Sequence, residues 1–222
     1  MDGLLFEGEP AQVGDRAVLT SGIFRRELMH ATEPTNSCII WVAGMSGDGE
    51  RFDPFIESLN DAGFDVLRFG GWSGQHDLAP LAVHDLLIAL QDTLALLSAR
   101  GYTFIGYVGK SFGALLGLLS RTRYDRMVLW APAVKVGSMS DTHIRCTELE
   151  RLPVFSLSEE ALAEKNQPTL IINGATDTVF PPHEARLLAA SLADAQRIEV
   201  PEGHSVDRTP RTLEATLEYL TK

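Results

Sequence analysis

The pentad Gly109-Lys110-Ser111-Phe112-Gly113 carries the clearest chemistry in the chain. A serine with glycine two residues before and two residues after it fits a sharp turn, where larger side chains would crowd the backbone. A β-rich run precedes the pentad and an apolar helical pattern follows. That is the strand–turn–helix context in which G-x-S-x-G forms a nucleophile elbow. The hydroxyl would project from the sheet edge beside a helix N-terminus, and the Phe112 N–H would face a developing oxyanion. About one chain in ten of this composition would hold the bare pattern by chance, so the context carries the weight. The alternative is a structural serine in a tight turn.

A serine hydroxyl is a poor nucleophile at neutral pH and needs a base. The six histidines are His30, His76, His84, His143, His183 and His204. His204 lies in Pro201-Glu202-Gly203-His204-Ser205, just after the last strand pattern, where a loop can carry it to the strand ends beside Ser111. His84 falls within a long helical pattern, His183 at a helix start, and His76 in a loop with no equally clear geometry. The imidazole needs an orienting carboxylate. Asp177, in the loop that leaves the strand pattern 169–173, would stand at the same sheet end. An Asx-turn or a helix cap is the other role open to it. The chain order Ser111, Asp177, His204 is nucleophile, acid, base.

A second oxyanion donor is expected in Trp41-Val42-Ala43-Gly44-Met45-Ser46-Gly47-Asp48-Gly49. Gly44 permits close backbone approach, and Met45 is the preferred N–H donor. The glycine spacing fits neither G-x-x-x-x-G-K-[ST] nor G-x-G-x-x-G, which argues against phosphate or dinucleotide binding. His76-Asp77 and His84-Asp85 do not specify converging ligands. The sequence has no H-E-x-x-H and no zinc-like cysteine spacing, so no metal is expected.

These side chains need a scaffold that delivers all of them to one edge. Cys38–Ala43 is a nearly continuous apolar run, as in a strand buried on both faces. Further strands are expected at Phe64–Phe69, Tyr102–Val108, Met127–Trp130, Thr169–Asn173 and Arg197–Val200. Residues 17–20 and 23–30 would pair as antiparallel edge strands around Gly22. Phe52, Phe55, Ile56 and Leu59 recur at helical spacing. Helices are also expected over 81–99 (ended by Gly101), Phe112–Leu119, His183–Ala193 and 209–220. Repeated β–α units with short loops predict an α/β fold: a mostly parallel central sheet with helices on both faces, in a single domain over 1–222. The least regular segment, 133–165, is a candidate short lid or insertion.

The 222 residues allow about 70% of the chain's surface to be buried without disulfides or metals. With 30 acidic and 19 basic residues, the net charge of −11 repels a phosphate backbone, so no nucleic-acid partner is expected. Arg25–Arg26 and the Arg121–Arg126 stretch read as solvated face. Cys38 and Cys146 are too few for a secreted disulfide scaffold. The N-terminal residues lack a basic segment and a long apolar one, and no apolar run is long enough for a membrane span. A cytoplasmic protein is the expectation; oligomeric state is left open.

The chain resembles the α/β-hydrolase superfamily, and within it compact serine esterases, thioesterases and dienelactone-hydrolase-like proteins. The likeness runs from the 38–49 strand and loop through 201–220. It implies a three-layer α/β-hydrolase fold with Ser111 as nucleophile, Asp177 as acid, His204 as base, and Met45 and Phe112 as oxyanion donors. It implies no cofactor and a small ester or thioester substrate cleaved through an acyl-enzyme. Two departures stand out. Ala43-Gly44 replaces the His-Gly of many relatives, and Lys110 occupies the variable elbow position. The Lys110 ammonium could favour an anionic substrate, pair with an acidic residue, or face solvent. Trp72, Met139, His143 and Phe180 are candidates to line a pocket, with Gly44 and Lys110 beside the reacting centre. A non-catalytic binding or scaffold protein on the same fold, and an acyltransferase or amidase, are the competing readings.

Overall fold

The computed structural model describes residues 11–13, 16–21, 24–47, 50–70, 83–136 and 156–222. The strands are β1 Ala11–Val13, β2 Arg16–Ser21, β3 Phe24–Met29, β4 Ser37–Val42, β5 Asp65–Gly70, β6 Phe104–Lys110, β7 Arg126–Trp130, β8 Lys135–Val136, β9 Ser156–Leu157, β10 Thr169–Gly174 and β11 Ala195–Val200. The helices are α1 Asp53–Asp61, α2 Val83–Ala99, α3 Phe112–Leu119, α4 Glu159–Ala163, α5 Pro182–Ser191 and α6 Pro210–Leu220.

Among the described residues nine strands form one sheet in the order β1-β2-β3-β5-β4-β6-β7-β10-β11. From β5 to β11 every pairing is parallel, whereas β1, β2 and β3 form an antiparallel meander on one side. The parallel set arises because each strand returns through a crossover, and its helix must then cover a face. β4 shows the two-sided burial directly. Cys38, Ile40 and Val42 enter the layer formed with α2, α3 and α5. Ile39 and Trp41 enter the layer formed with α1 and α6. The alternation follows from the two-residue period of a strand. In the second layer Trp130 stands against Trp41 and Phe55, with ring centroids 5.3 and 4.7 Å away, and its indole N–H donates to Thr216 Oγ1 at 2.9 Å. The three-layer α/β architecture expected from the sequence is the one observed.

The helical expectations are met with small shifts of boundary. Phe52, Phe55, Ile56 and Leu59 are all buried where α1 begins and runs. Gly101, at φ +92°, ends the turn after α2 in a conformation that suits glycine. Cys38 is fully buried, and burial pushes its thiol well above the ordinary range, as suits a small core hydrophobe.

One surface expectation is corrected. Arg26 is buried, not solvated. β3 is flanked by β2 and β5, so Arg26 shares the inward face with Leu28 and lies over the Phe69 ring, 5.9 Å from its centroid. Burial lowers the Arg26 guanidinium to about 10, and Asp92 acts in the opposite direction. Arg121 and Arg123 are exposed, while Arg126 donates to the Tyr219 carbonyl at 2.5 Å.

The segment 133–165 is described only at its ends. There β8 and β9 pair in parallel, and Ser158 caps α4 by accepting from the Ala161 N–H at 3.2 Å. Neither short strand nor α4 was expected. Residues 137–155 lie outside the described residues, and with them Met139, His143 and Cys146; Trp72 and His76 lie outside as well. Among the described residues no helix is long and apolar enough to cross a membrane.

Candidate active site

β6 runs near the middle of the sheet, and the elbow stands at its C-terminal end. Ser111 joins β6 to α3 with φ 51° and ψ −109°, a strained conformation for a residue with a Cβ. Such a residue costs about 1–3 kcal/mol and persists only where its surroundings over-determine it. Here the Ser111 N–H donates to Trp130 O at 2.8 Å, and the Ser111 carbonyl accepts from Leu115 N at 3.1 Å and Ala133 N at 3.2 Å. Tyr107, buried below, donates its hydroxyl to Gly113 O at 2.5 Å. The elbow is thus tied to β7, to its own helix and to the strand beneath.

β10 and β11 lie on the same side of β6 and run parallel to it, so the loops that leave them open onto the same rim. The loop after β10 brings Asp177, whose side chain is 0% exposed, and the loop after β11 brings His204, at 26%. Asp177 Oδ1 accepts from Val179 N at 2.8 Å and Phe180 N at 2.9 Å. Asp177 Oδ2 is 2.9 Å from His204 Nδ1, and His204 Nε2 is 3.0 Å from Ser111 Oγ. The Asx-turn and the histidine partnership are therefore two uses of one carboxylate. An ionised carboxylate only accepts, so it selects the tautomer with the proton on Nδ1. Nε2 then presents its lone pair to the Ser111 hydroxyl. The Phe180 ring flanks His204, with centroids 5.6 Å apart.

The loop after β4 passes directly over the elbow. A Cβ on Gly44 would stand 3.3 Å from Ser111 Cβ and 3.4 Å from Lys110 O, so only a bare Cα permits this approach without a shift. Met45 comes next, half-buried against the core, in a turn closed by Gly47 N donating to Gly44 O at 3.0 Å. Phe112 is the first residue of α3, where backbone N–H groups point out of the helix end. Both expected donors are therefore next to the elbow, Phe112 directly after Ser111 in the chain and Met45 directly after the Gly44 that touches it.

Of the three roles open to Lys110, the structure has the ion pair. Its ammonium meets the Asp207 carboxylate, with side chains 6% and 9% exposed. Asp207 was not expected from the sequence; the one signal was its position three residues past His204. Among the described residues no group of three His, Cys, Asp or Glu could hold a metal ion.

Fold and site together define a class: this is the α/β-hydrolase fold, with a serine, a histidine and an aspartate in hydrogen-bond contact on the rim of the sheet. The chain is similar to an α/β-hydrolase enzyme from a Medee basin deep-sea metagenome, at 17% identity and TM-score 0.70, with 96% of each chain covered. It is similar to an esterase from Exiguobacterium antarcticum at 12% identity and TM-score 0.69, covering 95% of this chain and 100% of that one. A monoacylglycerol lipase from Paleococcus ferrophilus aligns at 18% identity and TM-score 0.68, over 89% of this chain and 98% of its own. At such identities the likeness is one of fold. No family model and no curated protein matches the chain.

Proposed function

We propose that this chain is a serine hydrolase that cleaves a carboxylic ester or thioester through an acyl-enzyme. The observation that carries the reading is the continuous contact from Ser111 Oγ to His204 Nε2 at 3.0 Å and from Nδ1 to Asp177 at 2.9 Å. His204 Nε2 takes the Ser111 proton as Oγ attacks the carbonyl carbon. Asp177 holds the tautomer and stabilises the imidazolium that forms. The oxyanion falls between the Met45 and Phe112 N–H groups. His204 then protonates the departing alcohol or thiol, and the acyl group stays on Ser111. A water deprotonated by the same Nε2 releases the acid and restores the serine. The esterases and lipases among its fold neighbours agree with this chemistry.

A fluorophosphonate probe should label Ser111 in the folded protein, and labelling should vanish in Ser111→Ala and fall sharply in His204→Ala. Turnover should then be screened over p-nitrophenyl esters of increasing chain length, acyl thioesters and small lactones, with Ser111→Ala as the control throughout. Unlabelled, folded wild type would favour the binding-protein reading. Competing amine or alcohol nucleophiles, followed by product analysis, separate hydrolysis from acyl transfer.

Gly174→Ala offers a test remote from the reacting atoms. A Cβ there would meet the Gly203 and Glu202 carbonyl oxygens at 2.1 and 2.3 Å, both on the backbone of the histidine loop. That loop must move and His204 with it, and a displacement of about 1 Å can cost about 10²-fold in rate. A loss of that size in kcat is expected while Asp177 is untouched. Full activity in this variant would mean that the loop position is not rate-determining.

A further inference from the structure

We propose that the Lys110–Asp207 ion pair is a positioning device that registers the histidine loop on the nucleophile elbow. This rests on the hydrolase reading and names two residues that act through His204 and Ser111. Lys110 immediately precedes the nucleophile at the end of β6, and Asp207 lies in the short 3-10 turn Val206–Arg208, three residues after His204. The pair joins positions 97 apart in the chain and shuts both charges away from solvent.

The histidine loop is held differently at its two ends. Before His204, the backbone anchors it to the acid loop, with Ala175 N donating to Val200 O at 2.7 Å and Thr176 N to Glu202 O at 3.1 Å. After His204, Val206 is buried in the core and Asp207 reaches across to Lys110. The first set fixes the loop to Asp177. The second fixes it to Ser111, which is the other distance that proton transfer needs.

The same ammonium touches a third element of the site. Its Nζ lies 5.5 Å from the centroid of the Phe52 ring, in the turn that follows the oxyanion loop. The neighbouring Arg51 lies over that ring at 4.6 Å and donates to Ser46 Oγ at 3.0 Å, next to Met45. Elbow, histidine turn and the far end of the oxyanion loop therefore converge on one cation. A lysine at a strand end ordinarily runs its stem along the surface and keeps its head in water. Burying it against a carboxylate is a poor way to gain stability, because two desolvation penalties offset the attraction; a fixed geometry is what such a pair supplies. Burial pushes the Lys110 ammonium below its ordinary range, the Asp207 hydrogen bond and charge push it back, and Arg51 and Arg208 lower it again.

The test compares Lys110→Met, Asp207→Asn, the double variant K110M/D207L and Lys110→Arg. The probes are p-nitrophenyl acetate and the anionic p-nitrophenyl hemisuccinate. Each single change is expected to lower kcat by about 10²-fold on both esters, with KM nearly unchanged, as for a misplaced catalytic group. The double variant should lose no more than either single, because both remove one contact. Lys110→Arg, which keeps the charge, should recover part of the rate. A lower Tm with wild-type kcat would overturn the proposal in favour of a purely structural pair. So would a rise in KM confined to the anionic ester, which marks a substrate-reading lysine.

A readout independent of turnover separates this proposal from the functional one. The 15N resonance of His204 Nε2 reports its hydrogen bond from Ser111. It should move in Asp207→Asn relative to wild type. An unmoved resonance overturns the positioning role, even if no ester is ever turned over. Should the single variants not fold, Lys110→Arg and K110M/D207L, which leave no lone buried charge, carry the same two readouts.

Discussion

Replacing Asp177 by Asn should lower kcat by about 10⁴-fold while leaving KM and the fold nearly unchanged. The reason lies in the two oxygens of Asp177. Oδ1 accepts from the N–H groups of Val179 and Phe180 at 2.8 and 2.9 Å, so that position must remain an acceptor. The asparagine NH₂ is thereby forced to the Oδ2 position, 2.9 Å from His204 Nδ1. An NH₂ donates, so Nδ1 must accept and the imidazole proton moves to Nε2. That nitrogen then faces the Ser111 hydroxyl with a proton instead of a lone pair and cannot act as base. The packing is otherwise preserved, since the side chain is buried and nearly isosteric. Steady-state kinetics and thermal melting check the result together. Retention of more than about a tenth of wild-type kcat would remove Asp177 from the mechanism, because an interaction made in the transition state must show in kcat.

Most of the scaffold that sets up this site is visible in local sequence. The two-sided burial of β4 shows as an unbroken apolar run, and α3 shows as an apolar stretch after a serine between glycines. These signals work because strand and helix periods are local properties. The order of Ser111, Asp177 and His204 was equally readable, since each follows a strand pattern and parallel strands share one rim. What was not readable depends on contacts between distant positions. Nothing near Lys110 announces Asp207, and nothing near Arg26 announces that β3 is covered on both sides instead of lying at an edge. A basic pair in an alternating run looks solvated until its neighbours in the sheet are known. The short pair β8 and β9 escaped for the same reason: each has only two residues and is defined by its partner.

Gly113→Ala should be the most damaging single methyl that can be added near the site. A Cβ at Gly113 would lie 2.1 Å from Val42 O, 2.7 Å from Ala43 O and 2.8 Å from Val42 C. These are backbone atoms of β4 and the start of the oxyanion loop, so no side chain can swing aside. β4 is held by parallel pairing to β5 on one side and β6 on the other, and its residues from Cys38 to Val42 are fully buried. Relief has to come from α3, which would lift off the sheet and break the Tyr107 hydroxyl contact with Gly113 O. Overpacking of this kind costs typically about 1–3 kcal/mol and more where nothing yields. The expected loss is at the top of that range, about 3 kcal/mol, or a fall in Tm of about 6–12 °C for a chain of this size. Ser111 rides on the same turn, so labelling by a fluorophosphonate should be lost even in the fraction that folds. A variant with wild-type melting and labelling would mean that the elbow does not press on β4, and the tight packing that presents the serine to His204 would have to be abandoned.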